Sequence, residues 1–324
     1  MKELSKLMEF RPSIKVLDAT LRDGGLVNDF RFTDEFAKAI YQTNINAGVD
    51  YMEFGYRADK KMFDATKFGK WKFSSDDDIL SIIGNEKSPQ LKLAIMADVG
   101  RCDYKNDIQD RKNSPVDLIR IATYIQNMPS AIEMIEDAKK KGYEVSCNIM
   151  AISNAQESDL GIALEMLGKS PVDCIYIVDS FGSLYPEQIQ RLVHFYKNYA
   201  DRYGKSLGIH AHNNQQLAFA NTIESVSDGV DWLDATYGSM GRGAGNCSME
   251  LLLGFLKNPK YHIFPVIEFL EKYIAELKKE GTVWGYDWQY MFTGQLNQHP
   301  KSAIDYTKEK RSDLAEFYKE ISHE

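Results

Sequence analysis

SAIEMIEDAKKKGYEVSCNIM, residues 130–150, contains one complete passage from helix to strand. Ser130 can accept from the free N–H groups of a first turn. Lys139, Lys140 and Lys141 gather where the helix dipole favours cations, and Gly142 supplies the stop. The following run, Tyr143–Met150, is β-rich. The same passage recurs on both sides. Further strands are predicted at Val16–Leu21, Asp50–Gly55, Leu91–Ala97, Val116–Thr123, Cys174–Val178, Leu207–His212 and Trp232–Thr236. Helices are predicted at Thr33–Ala47, which stops at Gly48, at Pro186–Tyr203 and at Gln216–Ser227. The strands start roughly 30 residues apart, the size of one βα unit. Strict alternation, eight times and without a Pro/Ser-rich linker, predicts an α/β protein built as a closed (β/α)8 TIM barrel over residues 14–256. A doubly wound open sheet fits less well, because no GxGxxG follows the first strand.

Beyond Leu256 the rhythm changes. Phe264–Lys279 reads as an amphipathic helix and Lys308–Ile321 as a charged one. Between them Trp284, Tyr286, Trp288, Tyr290 and Phe292 alternate with a period of two, which suggests an extended segment or strand, suited to a lid or an oligomer contact but more simply explained by packing on the barrel. Residues 257–324 are therefore expected to form a C-terminal helical extension packed on the barrel.

The chain has 324 residues, 44% of them hydrophobic and 12% aromatic, enough to bury a large core. A net charge of −8 argues against nucleic acid or an anionic membrane as partner. No apolar run approaches the roughly 18 residues of a membrane span, and MKELSKLMEFRPS has no signal-like apolar stretch. Cys102, Cys147, Cys174 and Cys247 share no CxxC spacing, so neither a disulfide framework nor a cysteine zinc site is indicated. A cytoplasmic protein is expected.

In such a barrel the chemistry sits where strands end. The first strand runs into Arg22-Asp23-Gly24-Gly25, and strand alternation would put Asp18, Thr20 and Arg22 on one face. Polar groups there must pair or bind something. An Arg–Asp pair at the barrel mouth is one reading and a substrate site the other. His210 and His212, two apart on the seventh strand, share a face. With an Asp of strand one they could form a two-His, one-carboxylate metal set, or simply be hydrogen-bonded core histidines. The eighth strand ends in GSMGRGAGN (238–246), whose backbone N–H groups could meet an anion or merely form a tight turn. Asn246 could ligate a metal or cap the next helix. Cys247 reads as a small buried residue. Glu53 on strand two could bind substrate or pair with Arg22, and Ser180 after strand six could hydrogen-bond a carboxylate.

LDATLRDGG, VDSFG, GIHAHNN and GSMGRGAGN, in this order at matching strands, resemble the metal-dependent aldolase/lyase TIM-barrel superfamily that includes 3-hydroxy-3-methylglutaryl-CoA (HMG-CoA) lyase, 2-isopropylmalate synthase and 4-hydroxy-2-oxovalerate aldolase. The resemblance covers residues 14–256. VDSFG, HNNQQLAFAN and GRGAGN make the chain most similar to the 4-hydroxy-2-oxovalerate aldolase branch. The resemblance implies a carbon–carbon lyase (aldolase) that acts on a 2-oxo acid through a metal-bound pyruvate-type enolate. It implies a divalent ion, Mn²⁺ or Mg²⁺ before Zn²⁺, on Asp23, His210 and His212, with Asn246 matching a ligand position of the lyase and synthase branches. Arg22 would be catalytic, binding the pyruvyl oxygens and stabilising enolate charge, and Ser180 would contact the carboxylate. The small-molecule partners would be a 2-oxo acid and an aldehyde. A homodimer stays open; aldolases of this type also bind a partner dehydrogenase through their C-terminal helices, and nothing in this sequence itself points to one.

One departure stands out. The aldolases of this family place a catalytic His shortly after the RDG motif, whereas this chain has Gly25, Leu26, Val27 and Asn28. Asp29, Tyr290, His299 or an ion-bound water could replace it. Two alternatives follow: a Claisen-type acyltransferase on the same barrel, or a catalytically impaired barrel that only binds 2-oxo acids.

Overall fold

The computed structural model describes residues 12–84 and 87–323; most of the N-terminal run read above for a targeting segment lies outside the described residues. Eight strands, β1 (Lys15–Asp18), β2 (Tyr51–Tyr56), β3 (Lys92–Asp98), β4 (Leu118–Thr123), β5 (Glu144–Ile149), β6 (Cys174–Asp179), β7 (Ser206–Ala211) and β8 (Trp232–Ala235), pair in sequence order. All neighbours are parallel, and β8 pairs with β1 to close a TIM barrel. The helices between them are α1 (Asp34–Ala47), α2 (Asp76–Ile83), α3 (Met128–Lys140), α4 (Glu157–Lys169), α5 (Pro186–Tyr203), α6 (Ala218–Ser227) and α7 (Met249–Leu256). The α1 ends follow the sequence chemistry: Thr33 Oγ1 accepts from Phe36 N–H, and Gly48 closes the helix at φ 73°. In α3 the helix starts at Met128, so Ser130 lies inside the first turn rather than at its cap. After β3 only short helical turns form, Tyr104–Asp107 and Arg111–Asn113, because that polar connection has no apolar stripe to bury.

Two apolar layers hold the barrel. Outside the sheet, Val16, Ile95, Ile119, Ile209 and Leu233 pack against Ile40, Ile135, Leu164 and Val193 of the helices. Each such buried side chain contributes about 1.5–3 kcal/mol. Inside, Leu17, Tyr51, Leu118, Cys174 and Trp232 fill the lower barrel, with the Tyr51 and Trp232 rings 4.8 Å apart. Above this plug the interior becomes charged.

β1 is shorter than the alternation predicts. It ends at Asp18, and Thr20–Asp23 forms a helical turn in which Asp23 N–H donates to Ala19 O at 2.8 Å. Asp18, Thr20 and Arg22 therefore do not share a strand face. Asp18 accepts from the backbone and hydroxyl of Thr20 and from Asn44 of α1, on the helix side of the sheet. Burial pushes its carboxyl up to about 6.

The extension also departs from its sequence pattern. The amphipathic run forms α8 (Ile263–Phe269) and α9 (Ala275–Lys279), joined by a π-helical turn at Leu270–Ile274. The alternating aromatics are not a strand: α10 (Trp288–Gln295) is helical, with Asp287 at its start, and the period of two was coincidental. The charged run starts at the last residue of α11 (Lys301–Lys308), breaks near Lys310 at φ 53° and becomes helical again only in α12 (Leu314–Ser322). Tyr290, Ala303, Tyr306 and Phe317 form a small core closed by Ala244 of the barrel. The hydrogen bonds that dock it include Gly285 N–H to Gly243 O, Trp284 Nε1–H to Gly238 O, Asn214 Nδ2–H to Tyr290 O and Ser183 Oγ–H to Asn297 Oδ1. These anchors belong to the loops after β6, β7 and β8, so α10–α12 sit on the C-terminal mouth of the barrel, while α8 packs on α1 through Phe269 and Phe36. Among the described residues no helix is long and apolar enough to cross a membrane.

Candidate active site

The interior of the barrel above the apolar plug is an ionic ladder. Arg22 Nε donates to Glu53 Oε2 at 2.9 Å, and Arg120 Nη1 donates to the same oxygen at 2.8 Å. Arg120 Nη2 continues to Asp234 Oδ2 at 2.5 Å, and His210 Nδ1 lies 3.0 Å from that oxygen. All five side chains are buried, Arg120 and Glu53 completely. Arg120 also lies over the Tyr176 ring, 4.6 Å from its centroid. The sequence reading had no place for Arg120 or Asp234. The available signal was a charge inside the otherwise apolar strands LIRIAT and WLDA, which a fully enclosed parallel strand tolerates only when the charge is paired.

At the top of the ladder Arg22 turns to Asp23, with Nη1 2.8 Å from Oδ1; Nη2 has no protein partner among the described residues. Asp23, His210 and His212 meet there. One ligand atom from each lies within 4.8 Å of the others, the only such group of three among the described residues. Burial alone would raise the Asp23 carboxyl, but Arg22, His212 and His210 outweigh it and hold it below the ordinary carboxylate range. Burial pushes the His212 imidazole down to about 3, against the pull of Asp23, so it is neutral with a lone pair to give. Because the Asp234 carboxylate accepts, the His210 proton sits on Nδ1. That leaves Nε2 as a lone pair, buried and without a partner.

Asn246 lies in the same place. It pairs across an isolated bridge with His212, donates to Asp23 Oδ2 and to Met240 O, and leaves Oδ1 buried without a partner. It does not cap the next helix, where Ser248 holds the N-cap position. Gly241 permits the approach: a Cβ there would lie 2.2 Å from Asn246 Nδ2 and 2.8 Å from Asp23 Oδ2. The rest of the glycine-rich loop is only partly open as a cradle of N–H groups. Gly238 donates to Glu250, and the N–H groups of Ser239, Met240, Gly245 and Asn246 are used within the loop and the strand end before it. Cys247 is fully buried with its thiol pushed up to about 12 by burial, the inert residue expected.

A cavity of about 80 Å³ opens beside these groups, lined by Arg22, Asp23, Ser180, His210, His212 and Arg242 together with Leu26, Tyr56 and Asn148. Ser180 Oγ accepts from Ala151 N–H at 2.9 Å, which leaves its own proton to give. Glu53 lies beneath the cavity and not on its wall; what it touches is Arg22 and Arg120. Of the groups considered as replacements for the absent histidine, Asp29 is exposed in a turn and Tyr290 belongs to the small core of the extension. His299 stands at the rim, its Nε2 3.2 Å from Arg242 Nη1.

The model of the family described as HMGL-like matches residues 13–265. The chain belongs to the HMGL-like family. That membership makes it an enzyme of the lyase and aldolase type, as the four motifs had suggested. This HMGL-like chain is 28% identical over 256 residues to an oxaloacetate decarboxylase from Mycobacterium tuberculosis, covering 75% of this chain and 69% of that protein. It is also 28% identical over 253 residues to a 4-hydroxy-2-oxovalerate aldolase from Pelotomaculum thermopropionicum, covering 78% of this chain and 72% of that one. Among solved structures, the N-terminal domain of an aldolase candidate from Bacteroides vulgatus superposes with a TM-score of 0.77 at 30% identity, covering 91% of this chain and 97% of the other.

Proposed function

We propose that this protein is a divalent-metal-dependent carbon–carbon lyase that forms or resolves a pyruvate-type enolate from a 2-oxo acid, in the manner of 4-hydroxy-2-oxovalerate aldolase. The observation that carries the reading is the convergence of Asp23, His210 and His212 beside Arg22 in one buried cavity. Two orphaned acceptors, His210 Nε2 and Asn246 Oδ1, fit a cation, since a buried acceptor without a donor is otherwise costly. Asp23, His210 and His212 would hold the ion, with Asn246 as a fourth ligand. The mixed oxygen and nitrogen set suits Mn²⁺ or Mg²⁺, with Zn²⁺ as the alternative. When bound, such an ion polarises the 2-oxo carbonyl.

The chain's own residues supply the rest. Glu53 and Asp23 hold the Arg22 guanidinium rigid, so its charge is already in place where the enolate oxygen develops. Ser180 offers its hydroxyl proton to the substrate carboxylate. Arg22 lies 6.0 Å from the Tyr56 ring centroid, and burial raises the Tyr56 phenol well above its ordinary value, so Tyr56 serves as a donor and not as a base.

A second reading is decarboxylation of a 2-oxo dicarboxylate, the reaction named for the Mycobacterium tuberculosis relative. It is favoured by Leu26 on the cavity wall and by the lack of a histidine at positions 25–28. Retro-aldol cleavage must take a proton from a hydroxyl, whereas loss of CO₂ needs only a proton returned to the enolate carbon. Both readings share the metal set and Arg22.

Proton exchange of pyruvate in deuterated water, with metal uptake measured in parallel, tests the common step. Wild type should bind one divalent ion and exchange; His210→Ala should lose both with its fold kept. A folded, metal-free His210→Ala protein with full exchange would sink the proposal. Release of CO₂ from oxaloacetate, aldehyde from 4-hydroxy-2-oxo acids and turnover of acetyl-CoA then separate decarboxylase, aldolase and acyltransferase.

A further inference from the structure

Arg242, in the loop after β8, stands apart from the other guanidinium groups of the site. Arg22 and Arg120 are matched by Glu53, Asp23 and Asp234. Arg242 lines the same cavity, yet it has no carboxylate within ion-pair distance among the described residues, and its Nε is buried without a partner. Among the described residues, its one side-chain hydrogen bond to the barrel is a long one, Nη2 to Ser180 O at 3.5 Å.

The partner it does meet carries no negative charge. Arg242 Nη1 lies 3.2 Å from His299 Nε2, while His299 Nδ1 already accepts the Lys301 N–H at 3.1 Å, at the first turn of α11. A neutral imidazole has one lone-pair nitrogen and one N–H. That single lone pair is claimed by two donors, the Lys301 N–H and Arg242 Nη1–H, and the tautomer that serves Lys301 turns the Nε2 proton towards the guanidinium. Burial followed by Arg242 and Lys301 pushes the His299 imidazole down to about 4, so the ring is neutral when it makes this contact. In that tautomer both groups are donors, and an anion lying alongside would accept from both. The contact is not required to dock the extension, which Gly285, Trp284, Asn214 and Ser183 already fasten.

We infer that Arg242 and His299 together form a second anion subsite at the barrel mouth, so that the preferred substrate is a 2-oxo acid carrying a second anionic group, carboxylate or phosphoryl, at its far end. The inference rests on the 2-oxo-acid reading above. It places the two ends of the substrate on different elements. Arg22 and Ser180 on the cavity wall take the 2-oxo-acid end. The guanidinium fork of the β8 loop and the imidazole N–H of the C-terminal extension take the other, as a charge-assisted, bidentate anion contact requires. The extension thereby contributes a side chain to the site instead of only covering it.

Calorimetric titration of the metal-loaded full chain with pyruvate, oxaloacetate, 2-oxoglutarate and 3-phosphonopyruvate tests this. Two or more charge-assisted hydrogen bonds should make at least one dianion bind roughly 10- to 100-fold more tightly than pyruvate. The carboxylate and phosphonate arms show which head group fits. Arg242→Met should bring the dianion-to-pyruvate ratio to about one, and His299→Ala should lower it several-fold, with circular dichroism confirming that both variants fold. A ratio near one in wild type, or an Arg242→Met protein that keeps the wild-type ratio, overturns the subsite. If the protein takes up metal and exchanges pyruvate protons but does not prefer dianions, only the subsite falls. If it binds no 2-oxo acid at all, both proposals fall.

Discussion

Asp234→Asn isolates the part of the ladder that aims a metal ligand. Asp234 Oδ2 accepts from Arg120 Nη2 and faces His210 Nδ1 at 3.0 Å, all three groups being buried. The carboxylate fixes the His210 proton on Nδ1 and thereby keeps the lone pair of Nε2 on the side of Asp23 and His212. Asparagine keeps the shape but removes the charge and presents N–H groups to one of two donors. Loss of such an outer partner typically weakens metal binding 10- to 100-fold, or about 1.4–2.7 kcal/mol. The metal-free fold should suffer as well. Breaking a buried ion pair costs about 3–5 kcal/mol; the lower end applies, because Arg120 keeps Glu53. With a urea dependence of about 3 kcal/mol per molar, the midpoint should fall by about 1 M. Chelator competition for Mn²⁺ measures the first effect and urea unfolding the second. In a His210→Ala background Asp234→Asn should cause no further loss of metal binding, since the residue it positions is gone. Metal affinity within twofold of wild type, in a protein destabilised as expected, would refute the positioning role and leave only a structural ion pair.

Two further outcomes follow from the same interior. Arg120→Met should leave Glu53 with Arg22 alone and Asp234 with no guanidinium partner, and destabilise the fold by about 3–5 kcal/mol, while Glu53→Gln/Arg120→Met/Asp234→Asn should recover much of it; a single variant within 1 kcal/mol of wild type in urea unfolding would contradict the ladder. His212 should remain neutral well into acid. Its folded pKa, pushed down to about 3, lies below the unfolded value near 6.5, so its contribution to stability is fully present above about pH 6.5 and is lost as pH falls towards 3. Imidazole NMR of the metal-free protein, with the His212 signals assigned by His212→Asn, should show no titration between pH 8 and 5; a midpoint near 6.5 would show that the site is wetter than the structure implies.

The barrel was legible because its signals are local. Caps, glycine stops and apolar strand runs depend on near neighbours, so Thr33, Gly48 and Pro186 mark their elements directly. His210, His212 and Asp23 were legible for a related reason: strand ends of a closed barrel point to one mouth, so residues almost 190 positions apart meet once the topology is known. Periodicity misled where the chain changed conformation within a few residues. It misplaced Asp18 and Thr20 at the end of β1 and read a strand into the aromatic run that forms α10.

The sequence by itself thus determined the alternation of elements, the closed sheet and the three side chains at its mouth, because hydrophobic period and capping act over a few residues. Only the tertiary structure decided that Arg120 and Asp234 link Glu53 to His210 across the barrel. Only it showed that the extension folds back to set His299 against Arg242. A buried charge is stable only with a partner, and nothing in a linear chain states which distant element will bring that partner within 3 Å.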